Sequence, residues 1–177
     1  AEDLLRKSSA QGNKYAKYTL GKSLLDGELL LQNIPEAIKL ITESAESDFA
    51  PAEYLLGKLL CKGEMIPQDL KKAIEYLEKA AEQKNPHAVY LAGKIRLTEN
   101  GVKDIEKAIR NFEIAAENGN DFAEYMLGKI YLYGKEAERD YDKAMAYLTA
   151  SVEHGNQYAA QLLHSIKSNR NWSATLG

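Results

Sequence analysis

The chain has 177 residues with 23 basic and 26 acidic side chains, a net charge of -3 and 45% apolar content, an ordinary balance for a globular chain with a buried core. That slight acidity excludes holding a polyanion by bulk charge, and the single cysteine, Cys61, excludes an internal disulfide and fits a reducing, cytoplasmic setting. No run approaches the roughly 18 apolar residues that cross a bilayer, and no charged start precedes an apolar block near the beginning, so neither a membrane span nor a secretory leader is expected.

Residues 1–11 read as a second helix lacking its first, so the chain opens at Ala1 inside half a repeat, as a piece of a longer protein would. A two-helix unit follows over 14–47, with Asn13 as the cap of its first helix, Tyr18 to Lys22 within it, Gly27 where it stops, and Asn33 capping a second helix that carries Ala37-Ile38. The unit returns over 50–83 with Tyr54 to Lys58, Gly63, Asp69 and Ala73-Ile74, although Phe49 beside Asp48 stands where a capping side chain is expected. It returns over 86–117 with Asn85, Pro86 in the first turn, Tyr90 to Lys94, Asp104 and Ala108-Ile109, and over 121–153 with Asn120, Tyr125 to Lys129, Gly134, Asp140 and Ala144-Met145. Asn156 and Ala159 begin another first helix over 157–167, with His164 where the others have glycine; the polar tail 168–177 around Trp172 has no assigned structure.

The string Tyr-x-(Leu/Ala)-Gly-Lys therefore steps by 36, 36 and 35 residues, and Ala16, Ala52, Ala88, Ala123 and Ala159 keep the same register. The missing residue falls in 98–103, the place for a loop. Ile74, Leu77 and Ala81, matched by Ile109, Phe112 and Ala116, put one apolar face on the second helices, while Leu55, Leu56, Leu59 and Leu60 make the first helix apolar over a wider arc. Gly57 and its equivalents permit close helix approach. Such a unit buries its face only by stacking, so the fold expected is an all-α solenoid over 1–167, about four and a half helix pairs.

Ala52, Leu56-Gly57, Gly63, Asp69, Lys72-Ala73 and Ala80-Ala81-Glu82, echoed by Ala123, Leu127-Gly128, Gly134, Asp140 and Lys143-Ala144, resemble the Sel-one-like repeats, relatives of the tetratricopeptide repeats. The resemblance covers about nine tenths of the chain and implies a right-handed α/α superhelix acting as an adaptor between proteins. The third unit departs from the pattern with Ala92 for leucine and Arg96 where Leu60 and Tyr131 stand, which points to looser or specialised packing there. The Tyr-x-Leu-Gly-Lys flavour also resembles repeats attached to bacterial plasmid-mobilisation relaxases.

At about 100° per residue, Tyr18 and Lys22 point away from the seam of Ala16, Leu20 and Leu24 and neighbour each other on the helix surface. Repetition makes a column of Tyr18, Lys22, Tyr54, Lys58, Tyr90, Lys94, Tyr125 and Lys129, the candidate partner-binding residues. Tyrosine offers a rigid apolar body with a hydroxyl and lysine a positive charge, a pairing suited to an extended acidic chain. The plain alternative is that the tyrosines pack sideways on the next repeat while the lysines are merely solvated.

His87, His154 and His164 fall at different repeat positions without metal-ligand spacing, so no metal or cofactor is expected. Cys61 reads as a small core residue, the column Glu46, Glu82, Glu117 and Glu153 as a solvated face, and Glu99-Asn100-Gly101 as a turn. No phosphate-binding or nucleophile motif occurs, so the chain is expected to be no enzyme but a protein or peptide binder, monomeric or weakly self-associating. The alternative is an accessory region of a larger nucleic-acid-processing protein, with lysines tracking phosphates and tyrosines stacking on bases; net acidity argues against it.

Overall fold

The computed structural model describes residues 2–175, with side chains described through Ser168. Those residues are all-α, in the expected repeating helix pairs, with no strand among them. They fall into two compact units that divide between Lys103 and Asp104, at the end of the stretch where the repeat loses its residue.

The first unit contains α1 (Glu2–Ala10), α2 (Lys14–Asp26), α3 (Ile34–Ala45), α4 (Ala50–Lys62), α5 (Leu70–Glu82), α6 (Pro86–Thr98) and a 3₁₀ turn at Asn100–Val102. The second contains α7 (Ile105–Glu117), α8 (Asp121–Tyr133), α9 (Tyr141–Glu153) and α10 (Gln157–Thr175). Helix α10 continues past Lys167, where the half-repeat was expected to end; the side chain of Trp172 lies outside the described residues.

The helix starts are chemical. An uncapped first turn leaves amides unpaired, and Asn13, Asn85, Asn120 and Asn156 accept from those of Ala16, Ala88, Ala123 and Ala159. Asn33, Asp69, Asp104 and Asp140 do the same for the second helices. Phe49 caps α4 with no side-chain bond, and Asp48 before it holds a positive φ of 53°. Gly27, Gly63 and Gly134 end α2, α4 and α8 in the left-handed conformation, whereas the third repeat replaces that glycine with extended Glu99 and the 3₁₀ turn, whose Val102 packs on the core.

The seam runs Ala37, Ile41, Ser44 on α3 and Ala73, Leu77, Ala80 on α5 in the first unit, and Ala108, Phe112, Ala115 on α7 and Ala144, Leu148, Ser151 on α9 in the second, all fully or almost fully buried. Of the face expected on Ile74, Leu77 and Ala81, the first two are buried and Ala81 packs on the same core, with Ala73 and Ala80 closing the seam beside them where glycines on the first helix leave room for close approach. A Cβ on Gly57 would lie 3.1 Å from the Ala73 carbonyl oxygen and 2.8 Å from Leu77 Cγ, and one on Gly21 would lie 3.1 Å from the Ala37 carbonyl oxygen. In the second unit a Cβ on Gly128 would lie 2.6 Å from Leu148 Cγ.

In the first, second and fourth repeats, hydrogen bonds spanning 30 residues tie the first helix to the end of its second: Ser44 Oγ donates to the Lys14 carbonyl, Gln83 Nε2 to Glu53 Oε2, and Ser151 Oγ to the Asp121 carbonyl. Arg96, which replaces an apolar residue, is 8% exposed and pairs with Glu78 of α5, so the third repeat's departure is a buried cation with its own counterion.

Candidate functional site

Each column residue sits where α2, α4, α6 or α8 turns away from its seam. In the first unit Tyr18, Tyr54 and Tyr90 are half-buried while Lys22, Lys58 and Lys94 are exposed; in the second, Tyr125 and Lys129 are both half-buried. The Tyr18 ring meets Phe49 edge-on at 5.4 Å, and Tyr54 lies 6.1 Å from the His87 ring. Tyr125 lies 6.1 Å from Tyr158, with Lys129 Nζ 5.3 Å from its centroid. Burial pushes the Tyr54 hydroxyl pKa up from its ordinary value, so Tyr54 stays neutral well above pH 7 and acts as a hydrogen-bonding group.

Sequence reasoning missed the rings those tyrosines lean on. Phe49, His87 and Tyr158 sit at the entry to the next first helix, with Tyr15 and Phe122 beside them, 60% and 44% exposed. Tyr15, His87, Phe122 and Tyr158 keep the repeat register, each two residues past its asparagine, so the period held a signal that could have found them; Phe49 stands out of that register. Tyr18 and Lys22 also line a shallow groove of about 380 Å³ with Thr19, Ser23, Asp26, Glu28 and Leu29. Leu29 and Leu31, on the loop after Gly27, are 84% and 92% exposed.

The remaining candidates resolve into structure. Cys61 is half-buried beside the core with its thiol pKa pushed up by burial, the opposite of an activated nucleophile. Glu46, Glu82, Glu117 and Glu153 are exposed, and Glu99-Asn100-Gly101 enters the 3₁₀ turn. His154 Nδ1 lies 2.9 Å from Glu124 Oε2 on α8. No group of three metal-ligating side chains gathers among the described residues, and none of their helices is long and apolar enough to cross a membrane.

The Sel1 repeat family matches residues 14–49, 50–85, 86–120 and 121–156. No curated protein matches the chain. Among solved structures, it is 29% identical over 96% of its length, with a TM-score of 0.88, to a protective antigen of uropathogenic Escherichia coli displaying an SLR fold. It is 29% identical over 93%, with a TM-score of 0.82, to a Sel1 repeat protein from Oxalobacter formigenes. A putative Sel1 repeat protein from Klebsiella pneumoniae, 24% identical over 94% of this chain and 83% of its own with a TM-score of 0.58, shares the fold. The chain spans 36% of the Escherichia coli protein and 66% of the Oxalobacter one. None of the three is described as processing nucleic acid, so the relaxase-type alternative gains nothing from them. With four consecutive repeats matched and the helix pairs in place, the chain belongs to the Sel1 repeat family, whose members are generally protein-interaction scaffolds.

Proposed function

We propose that the chain is a non-catalytic adaptor that takes an extended peptide or a partner helix along its first helices, on the concave face of the solenoid. The observation that carries this reading is the recurrence, at one place in all four repeats, of a half-buried tyrosine followed four residues later by a lysine. Packing explains the buried alanines and leucines of those helices; it does not require a lysine at Lys22, Lys58 or Lys94, which are exposed. A tyrosine braced by the next repeat has already lost much of its rotamer freedom, so a partner gains its contact area at a smaller entropic cost. A cytoplasmic setting and a monomeric or weakly self-associating chain belong to the same proposal.

The test is capture from lysate with mass spectrometry, comparing the wild type with a variant in which Tyr54, Lys58, Tyr90 and Lys94 are alanine and helix content is verified by circular dichroism. A protein held by the wild type and lost from the folded variant supports the column as the surface. Equal capture by both sinks it.

A further inference from the structure

Seven cations stand on α2, α4 and α6: Lys14, Lys17, Lys22, Lys58, Lys62, Lys94 and Arg96. The four outside the column are all engaged. Lys14 Nζ donates to the carbonyls of Ser47 and Asp48 at 3.1 and 3.0 Å, Lys17 pairs with Glu43 at 2.8 Å, Lys62 with Glu64 at 3.6 Å, and Arg96 with Glu78. The three column lysines have no carboxylate within ion-pair distance among the described residues. The same helices carry only two acids: Asp26 at the end of α2, and Glu53, which is fully buried. Asp26 and Glu28 border the groove beside Lys22, and Glu64 and Glu99 follow α4 and α6 outside those helices. Although the whole chain is acidic, its first unit presents uncompensated positive charge in one line.

The line has a pitch. Tyr18 leans on the residue that opens α4, Tyr54 leans on α6, and α4 touches α6, so the three helices are successive neighbours. Neighbouring helix axes lie roughly 8–10 Å apart and an extended chain advances about 3.3 Å per residue, so one lysine is met about every three residues.

Resting on the reading of the column as a binding surface, we infer that its ligand is an extended acidic peptide with a carboxylate at every third residue. The lysines then supply the counterions missing in the free chain, and the tyrosines pack on the residues between. Complementary charge of this kind sets register and partner choice more than raw affinity.

The experiment is fluorescence anisotropy on the full chain with labelled 12-residue peptides: one with Glu at every third position among Ser and Ala, an isomer with its Glu residues contiguous, and a version with Gln for Glu. Single-stranded oligothymidine is the fourth probe. The spaced peptide is expected to bind about fivefold tighter than the contiguous isomer and tenfold tighter than the Gln version. The double change Lys58→Gln, Lys94→Gln is expected to cost about tenfold at unchanged helix content, and the affinity is expected to fall between 50 and 300 mM salt, values that bracket strong and weak screening. Equal binding of the Glu and Gln peptides, or none up to about 1 mM, the millimolar limit of weak association, overturns the acidic ligand. Equal binding of both isomers overturns the spacing, and tighter binding of oligothymidine overturns a peptide ligand. If the peptides fail while the alanine variant still loses a captured protein, only this inference falls; if the spaced peptide binds equally to the Gln variant, the column itself is not the surface.

Discussion

Glu53 shows how one side chain sets a local balance. It is fully buried on α4, and while Oε2 accepts from Gln83, Oε1 has no hydrogen-bond partner. Desolvation pushes its pKa up, with Asp48 and Glu82 adding to the effect and Lys79 and Lys14 opposing it. A carboxyl whose folded pKa exceeds its unfolded one contributes stability below the unfolded value, and loses it as pH rises through the folded one. Glu53→Gln is therefore expected to stabilise the chain by roughly 1–2 kcal/mol at pH 7 and to flatten stability against pH on the acid side, measured by urea unfolding. Gly57 sits on the opposite footing. Gly57→Ala is expected to cost about 1–3 kcal/mol, because the added methyl meets Leu77 Cγ at 2.8 Å, while Gly101→Ala, with nothing within 4 Å, is expected to cost little by the same assay.

Between elements, repeats two and four hold their helices with the same tie made from different chemistry. Gln83 bonds Glu53 between α5 and α4, and His154 bonds Glu124 between α9 and α8. The imidazole pKa is raised by the Glu124 hydrogen bond first and its charge second, with Glu153 and Asp121 adding to it. That contribution is complete below the unfolded value near 6.5 and fades as pH rises through the higher folded value. His154→Gln copies the tie of repeat two, so the small fall in melting temperature above pH 6.5 is expected to vanish; an unchanged fall would show that His154 is not its source. These ties were not legible in the sequence, because a bond spanning 30 residues has no local signature, and Gln83 and His154 look unrelated until the helices are side by side. The caps were legible, since Asp69 bonds an amide three residues away, a relation that sequence spacing carries directly. The apolar face was legible at Ile74 and Leu77, whereas the closest approach at Ala73 was not, because periodicity locates an apolar arc but not the glycine that decides which part of it closes tightest.

At the scale of the molecule, helices pack mainly on their neighbours in chain order within each unit, so damage should stay local. Leu77→Ala, removing a fully buried side chain on α5, is expected to cost about 2–5 kcal/mol and to raise amide exchange in α4, α5 and α6 while leaving α8 and α9 protected. Uniform loss of protection would show one cooperative block instead. The period, the helix pairs and the column were readable from the sequence because repetition averages out local noise; the ring partners of the tyrosines were not singled out, because their shared place two residues past the asparagine holds chemically different rings, His87 and Tyr158, while Phe49 stands out of that register. The ties of Ser44 to Lys14, Gln83 to Glu53 and Ser151 to Asp121 each begin and end within one repeat. A stretch such as 50–85 is thus a cassette carrying its own fasteners. Copying it in frame beside itself severs none of them, so a gene of this kind can lengthen or shorten its product by duplication and loss, adjusting reach without inventing a new fold.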